Sequence, residues 1–140
     1  MGQQQLLLII LGVILVGIAV AVGITMFKDS AVSANRDAVT NDLVNLASRA
    51  QQYYRRPKTS GGGGGSFTKL TAGSGMKLLT KTSSASVRNG NGTFTIVSNS
   101  ASTLRLQGLG TEFGNDRTNK VKVVMNVWAD SAKVNPASTN

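Results

Sequence analysis

The sequence predicts an α+β fold. A long N-terminal α-helix, with a protruding apolar half and an amphipathic half, packs on a small C-terminal antiparallel β-sheet of three or four strands. Three observations predict it. Residues 6–27 carry no charge and a single polar side chain, Thr25. Residues 29–56 contain neither proline nor glycine and repeat apolar side chains at helical spacing. From residue 76 onward, apolar and polar residues alternate between turns rich in Gly, Asn and Asp.

The first element lies within residues 1–27, MGQQQLLLIILGVILVGIAVAVGITMF. At about 1.5 Å per residue, a helix over residues 6–27 is roughly 33 Å long, which matches the hydrocarbon thickness of a bilayer. A cleaved secretion signal has a basic start and a shorter apolar stretch. Here the first basic residue, Lys28, follows the run instead of preceding it. Residues 1–27 are therefore expected to act as a membrane anchor. Gly12, Gly17 and Gly23 interrupt the run. They admit two readings: small residues that let neighbouring helices approach closely, or points of local unwinding, since each glycine weakens a helix by about 1 kcal/mol relative to alanine.

Residues 28–56 continue that helix. Val39, Leu43, Leu46, Ala50 and Tyr53 fall on one face, with Asp42, Asn45, Arg49 and Gln52 on the other side. Asp29 and Asp37 lead while Arg49, Arg55 and Arg56 trail, an order that suits the helix macrodipole. Pro57 forbids simple continuation. The two halves together make a rod of about 50 residues, roughly 75 Å long, which no small domain can enclose.

Residues 57–75, PKTSGGGGGSFTKLTAGSG, read as a flexible glycine-rich linker. A phosphate-cradling loop needs a preceding strand, a Lys-Ser or Lys-Thr pair and a following helix, and this pattern is missing. Residues 76–140 form the β domain. Residues 76–82 read as a weak strand. Phe94 and Ile96 point to one face, Leu104 and Leu106 likewise, and Val121, Val123, Met125 and Val127 complete the set. That apolar face needs a cover, and the stripe from Val39 to Tyr53 is the only sizeable one the chain offers.

The composition narrows function. There is no cysteine or histidine among the 140 residues, so disulfides, thiolate catalysis, imidazole bases and Cys/His metal sites are excluded. The six carboxylates, Asp29, Asp37, Asp42, Glu112, Asp116 and Asp130, form no cluster along the chain suited to a hard cation. No cofactor and no enzymatic activity are expected. The net charge is +9, with basic residues scattered apart from Arg55, Arg56 and Lys58.

A hydrophobic half-helix, an amphipathic continuation and a C-terminal antiparallel sheet resemble the type IV pilins and their pseudopilin relatives. The resemblance spans the chain in pattern and is specific in motif only over residues 1–28. It implies a leader removed by a prepilin peptidase and residence in the inner membrane as a single-pass protein. An assembly machinery then extracts the subunit into an extracellular homopolymer. The filament core would be built from Leu6, Leu7, Ile10, Leu11, Ile14, Ile18, Val22 and Phe27.

Two features depart from that family. Its fifth mature residue is usually glutamate, which pairs with a neighbour's N-terminal amine. With Met1 as the mature N-terminus, expected here, that place is held by the neutral Gln5. The glutamines at 3–5 still offer hydrogen bonds to a buried amine. The family's common C-terminal disulfide is also missing. The alternatives are a single-pass anchored protein with a small extracytoplasmic β domain, or a minor pseudopilin of a secretion system, the latter compatible with Gln5. Nucleic acid is a further candidate partner on charge alone, without a recognition motif. Asn91-Gly92-Thr93 is a glycosylation sequon in an expected turn.

Overall fold

The computed structural model describes residues 2–114 and 116–135. Its dominant element is α1, Gly2–Arg55, an uninterrupted helix of 54 residues, about 80 Å long at the usual helical rise. Gly12, Gly17 and Gly23 do not break it. Hydroxyls inside the helix turn back on it: Thr25 Oγ1 donates to the Ala21 carbonyl at 3.1 Å and Thr40 Oγ1 to the Arg36 carbonyl at 2.8 Å.

After α1 come a short 3₁₀ turn, Lys58–Ser60, then α2, Gly75–Thr80, and five strands: β1 (Val87–Arg88), β2 (Gly92–Asn99), β3 (Leu104–Phe113), β4 (Lys120–Val127) and β5 (Ala132–Val134). The sheet is an antiparallel meander in the order β1-β2-β3-β4-β5. The expected three or four strands become five because β1, two residues long, and β5, three, are too short to show an alternating pattern. A bulge at Val97 shifts the β2–β3 register between Ile96 and Ser98.

One face of the sheet closes over α1. Val39, Leu43, Leu46, Ala50 and Tyr53 are buried against Phe94, Ile96, Leu104, Leu106, Val121, Val123, Met125 and Val127, as the two periodicities predict. The helix lies so close that glycine is required beneath it. A Cβ at Gly108 would come 2.5 Å from Val39 Cγ1, and one at Gly110 would meet the Asn35 side-chain oxygen. Larger residues there would lift the helix off the sheet.

Two expectations are corrected. Residues 76–82 are not a strand: Met76 and Leu79, one helical turn apart, are buried on the inner side of α2, and Lys81 ends it in the left-handed conformation. Nor are residues 57–75 a free linker. Phe67 and Leu70 are fully buried, and the Phe67 ring lies 4.7 Å from that of Tyr54. The glycine run caps α1. The last carbonyls of a helix lack intrahelical partners, and here Gly63, Gly64 and Gly65 donate their N–H groups to the carbonyls of Tyr53, Arg56 and Tyr54 at 2.8, 2.9 and 2.9 Å. The run folds back over the helix end so tightly that a Cβ at Gly62 would collide with the Arg56 carbonyl. The absence of side chains, read from sequence as a source of freedom, is what permits this close wrapping.

Candidate functional surface

The residues of interest divide into a bare surface and the clamp that holds the sheet away from it. The bare surface is the first half of α1. Its sixteen large apolar side chains between Leu6 and Phe27 are all exposed, from 52 % at Val22 to 76 % at Phe27. The helix is apolar around its whole circumference here, the signature of a segment meant for an apolar surrounding on every side. It is long and apolar enough to cross a membrane. Leu6, Leu7, Ile10, Leu11, Ile14, Ile18 and Val22 lie on this rod with Phe27 at its end. Gln5 is exposed near its start, and Met1 lies outside the described residues. Among the described residues nothing apart from the helix's own adjoining backbone comes within 4 Å of where a Cβ would stand at Gly12, Gly17 or Gly23, so each leaves open space beside the helix.

The clamp is polar and was not legible as such in the sequence. Asn35 Nδ2 donates to the Asn91 carbonyl at 3.0 Å and to Thr111 Oγ1 at 3.2 Å. Further along the helix, Asp42 Oδ2 accepts from Asn89 Nδ2 and Asn91 Nδ2, both at 2.8 Å. Gln51 Nε2 donates to the carbonyls of Trp128 and Ser131 at 3.2 Å each. Arg55 and Asp130 form an ion pair at 3.2 Å, too exposed to contribute much. Asp42 therefore does not belong to a free solvent face. It borders the helix–sheet seam and receives two amides from the turn between β1 and β2.

That geometry bears on the sequon. The nitrogen that would carry a sugar, Asn91 Nδ2, is the one that donates to Asp42, and Asn91 is half-buried. Glycosylation there would replace one of the two hydrogens on the nitrogen that bonds Asp42 and would place a sugar at the seam between sheet and helix. The clamp residues share no spacing that marks them: Asn35, Asp42 and Gln51 are ordinary polar residues until the sheet is in place. The only retrievable signal is that they flank the apolar stripe rather than oppose it.

The fold and its bare helix define a class: a small α+β domain whose stem is one continuous helix, membrane-long and apolar at its N-terminal end. Comparison with known protein families, with curated proteins and with solved structures gives no match to this chain.

Proposed function

We propose that the chain is a structural subunit that polymerises through the apolar half of α1 into an extracellular, type IV pilus-like filament, after residing in the inner membrane as a single-pass protein. One observation carries the reading: an entirely apolar rod, exposed on all sides, continues without a break into a helix whose second half is covered by the sheet. Fully burying a Leu, Ile or Val side chain contributes about 1.5–3 kcal/mol. Sixteen exposed apolar groups make water an untenable surrounding for the rod. Lipid satisfies it, because all backbone bonds of a helix are internal, and so does a bundle of identical helices, held by dispersion and close packing at small residues.

On this reading the sheet remains outside the bundle, and Gly12, Gly17 and Gly23 sit at helix-to-helix contacts. Gln5 takes the place of the usual glutamate without its charge. The reading leaves no chemistry for the chain to perform beyond processing by a prepilin peptidase and handling by an assembly machinery. The test is negative-stain microscopy of material sheared from cells, with intact mass and N-terminal sequence of this chain. Thin filaments built of it are expected, and Ile14→Asp should abolish them while leaving the sheet folded. A chain confined to the membrane fraction, with no filaments, would replace the proposal by an anchored domain.

A further inference from the structure

At the junction between the bare rod and the sheet lies an open notch of about 930 Å³, lined on the helix side by Phe27, Lys28 and Arg36 and on the sheet side by Glu112, Phe113 and Arg117. Its height along the molecule follows from the packing. β3 runs along α1 toward the rod: Gly108 lies against Val39 and Gly110 against Asn35. Two strand residues, about 6.8 Å, thus keep pace with four helical residues, about 6 Å. β3 then becomes irregular, so that Phe113 pairs with Lys120, about one ladder step past the Val121 that neighbours Gly110, and from there it lines the notch together with Phe27 and Lys28. The β3–β4 turn, closed by Gly114 N–H donating to the Asn119 carbonyl at 2.7 Å, carries Arg117 to the same notch. This end of the hairpin therefore borders, across the notch, the line where charge stops and the apolar run begins.

Two aromatic rings face water at that line, Phe27 at 76 % and Phe113 at 54 % exposure. Around them the charges come within one of balance: Lys28, Arg36 and Arg117, with Lys120 paired to Phe113, against Asp29 and Glu112 in the notch and Asp116 in the turn. The Asp116 carboxylate already accepts from the backbone N–H groups of Thr118 and Asn119 and from Asn119 Nδ2, so part of its solvation travels with the turn. From this geometry we infer that the β3–β4 hairpin is a second membrane contact: with the rod in a bilayer, Phe113 and the tip seat in the headgroup layer beside Phe27 and hold the sheet against the membrane surface. The occupant of the notch is phospholipid headgroup. The near-neutral charge balance makes a zwitterionic surface sufficient, unlike a polybasic patch that needs anionic lipid. The inference rests on the rod residing in a bilayer, which the filament and anchored-domain readings share.

The test places one tryptophan at a time in the full chain, in a Trp128→Phe background, reconstituted in phosphatidylcholine vesicles carrying bromines at shallow or deep chain positions. Val16→Trp reports on the rod, Phe113→Trp on the hairpin, and Val97→Trp on the sheet well above the bilayer. The rod probe should be quenched best by deep bromines. The hairpin probe should be quenched about twofold better by shallow than by deep bromines, as for side chains in the headgroup–acyl boundary, and the sheet probe by neither. If the rod probe is quenched while the hairpin probe behaves like the sheet probe, the hairpin contact is wrong and bilayer residence stands. If the hairpin probe is unquenched but its emission shifts to the blue as subunit density rises, the notch belongs to a second copy and the proposal falls. An unquenched rod probe overturns bilayer residence itself, and the hairpin contact with it.

Discussion

The two halves of α1 share one backbone and differ in what surrounds them. Leu43 in the second half is 0 % exposed and Leu7 in the first is 67 % exposed, yet both sit in the same unbroken helix. Helical hydrogen bonds form within the segment and need no partner, so secondary structure extends past the point where tertiary structure ends. Burial does need a partner. The second half finds it in the sheet of its own chain. The first half has none among the described residues, and its apolar surface is left uncovered by them.

The largest expected effect contrasts the halves directly. Leu43→Ala should destabilise the sheet-covered unit by about 2–5 kcal/mol, the range for a buried leucine truncation, measured by denaturant unfolding of the full chain in detergent. Ile14→Ala, an equal truncation on the same helix, should leave that unfolding within about 0.5 kcal/mol of the parent, its effect confined to membrane insertion or assembly. Equal losses from both would mean that the rod is part of the folded core.

A smaller effect tests where the covered half stops. Gly62→Ala forces a methyl into the Arg56 carbonyl and should cost about 1–3 kcal/mol, as overpacking does. Gly73→Ala, in open space, should be silent in the same unfolding assay. If both are silent, the glycine run is a free linker and does not cap α1.

Asp42→Ala sharpens the seam between helix and sheet. It deprives the amides of Asn89 and Asn91 of their shared acceptor and should lower stability by about 0.5–1.5 kcal/mol, the net contribution of a hydrogen bond whose donor water can still reach. No change would place Asp42 back on a solvent face.

The smallest effect is local. Hydrogen bonds from Asn119 and Thr118 hold the Asp116 carboxyl below its ordinary range. A depressed carboxylate stabilises the folded turn above its unfolded pKa and loses that contribution as pH falls through its folded value. The amide resonances of Thr118 and Asn119 should therefore titrate together below pH 3.8, with the rest of the sheet unaffected.

How much was legible follows from which interactions announce themselves. The stripe at Val39, Leu43, Leu46, Ala50 and Tyr53 and the alternations around Phe94, Leu104 and Val123 are periodic, so the faces that meet could be read directly. Phe67, Leu70, Met76 and Leu79 were not placed in the core, because they sit in irregular or very short elements where no period has room to repeat. The run at Gly61 looked flexible because composition records the absence of side chains and not the helix-end carbonyls waiting for donors. Asn35, Asp42 and Gln51 became a clamp only when β3 and the turns beside it arrived at their side.

By itself the sequence determined the continuous helix, its change of character at Lys28 and the apolar face of the sheet, since each rests on local repetition and on the uncharged length of residues 6–27. Only the tertiary structure decided the cap over Tyr53 and Tyr54, the polar seam at Asp42 and Asn91, and the notch that Phe113 and Phe27 share. Those depend on distances between residues remote in the chain, fixed by how closely Gly108 and Gly110 let α1 approach the sheet.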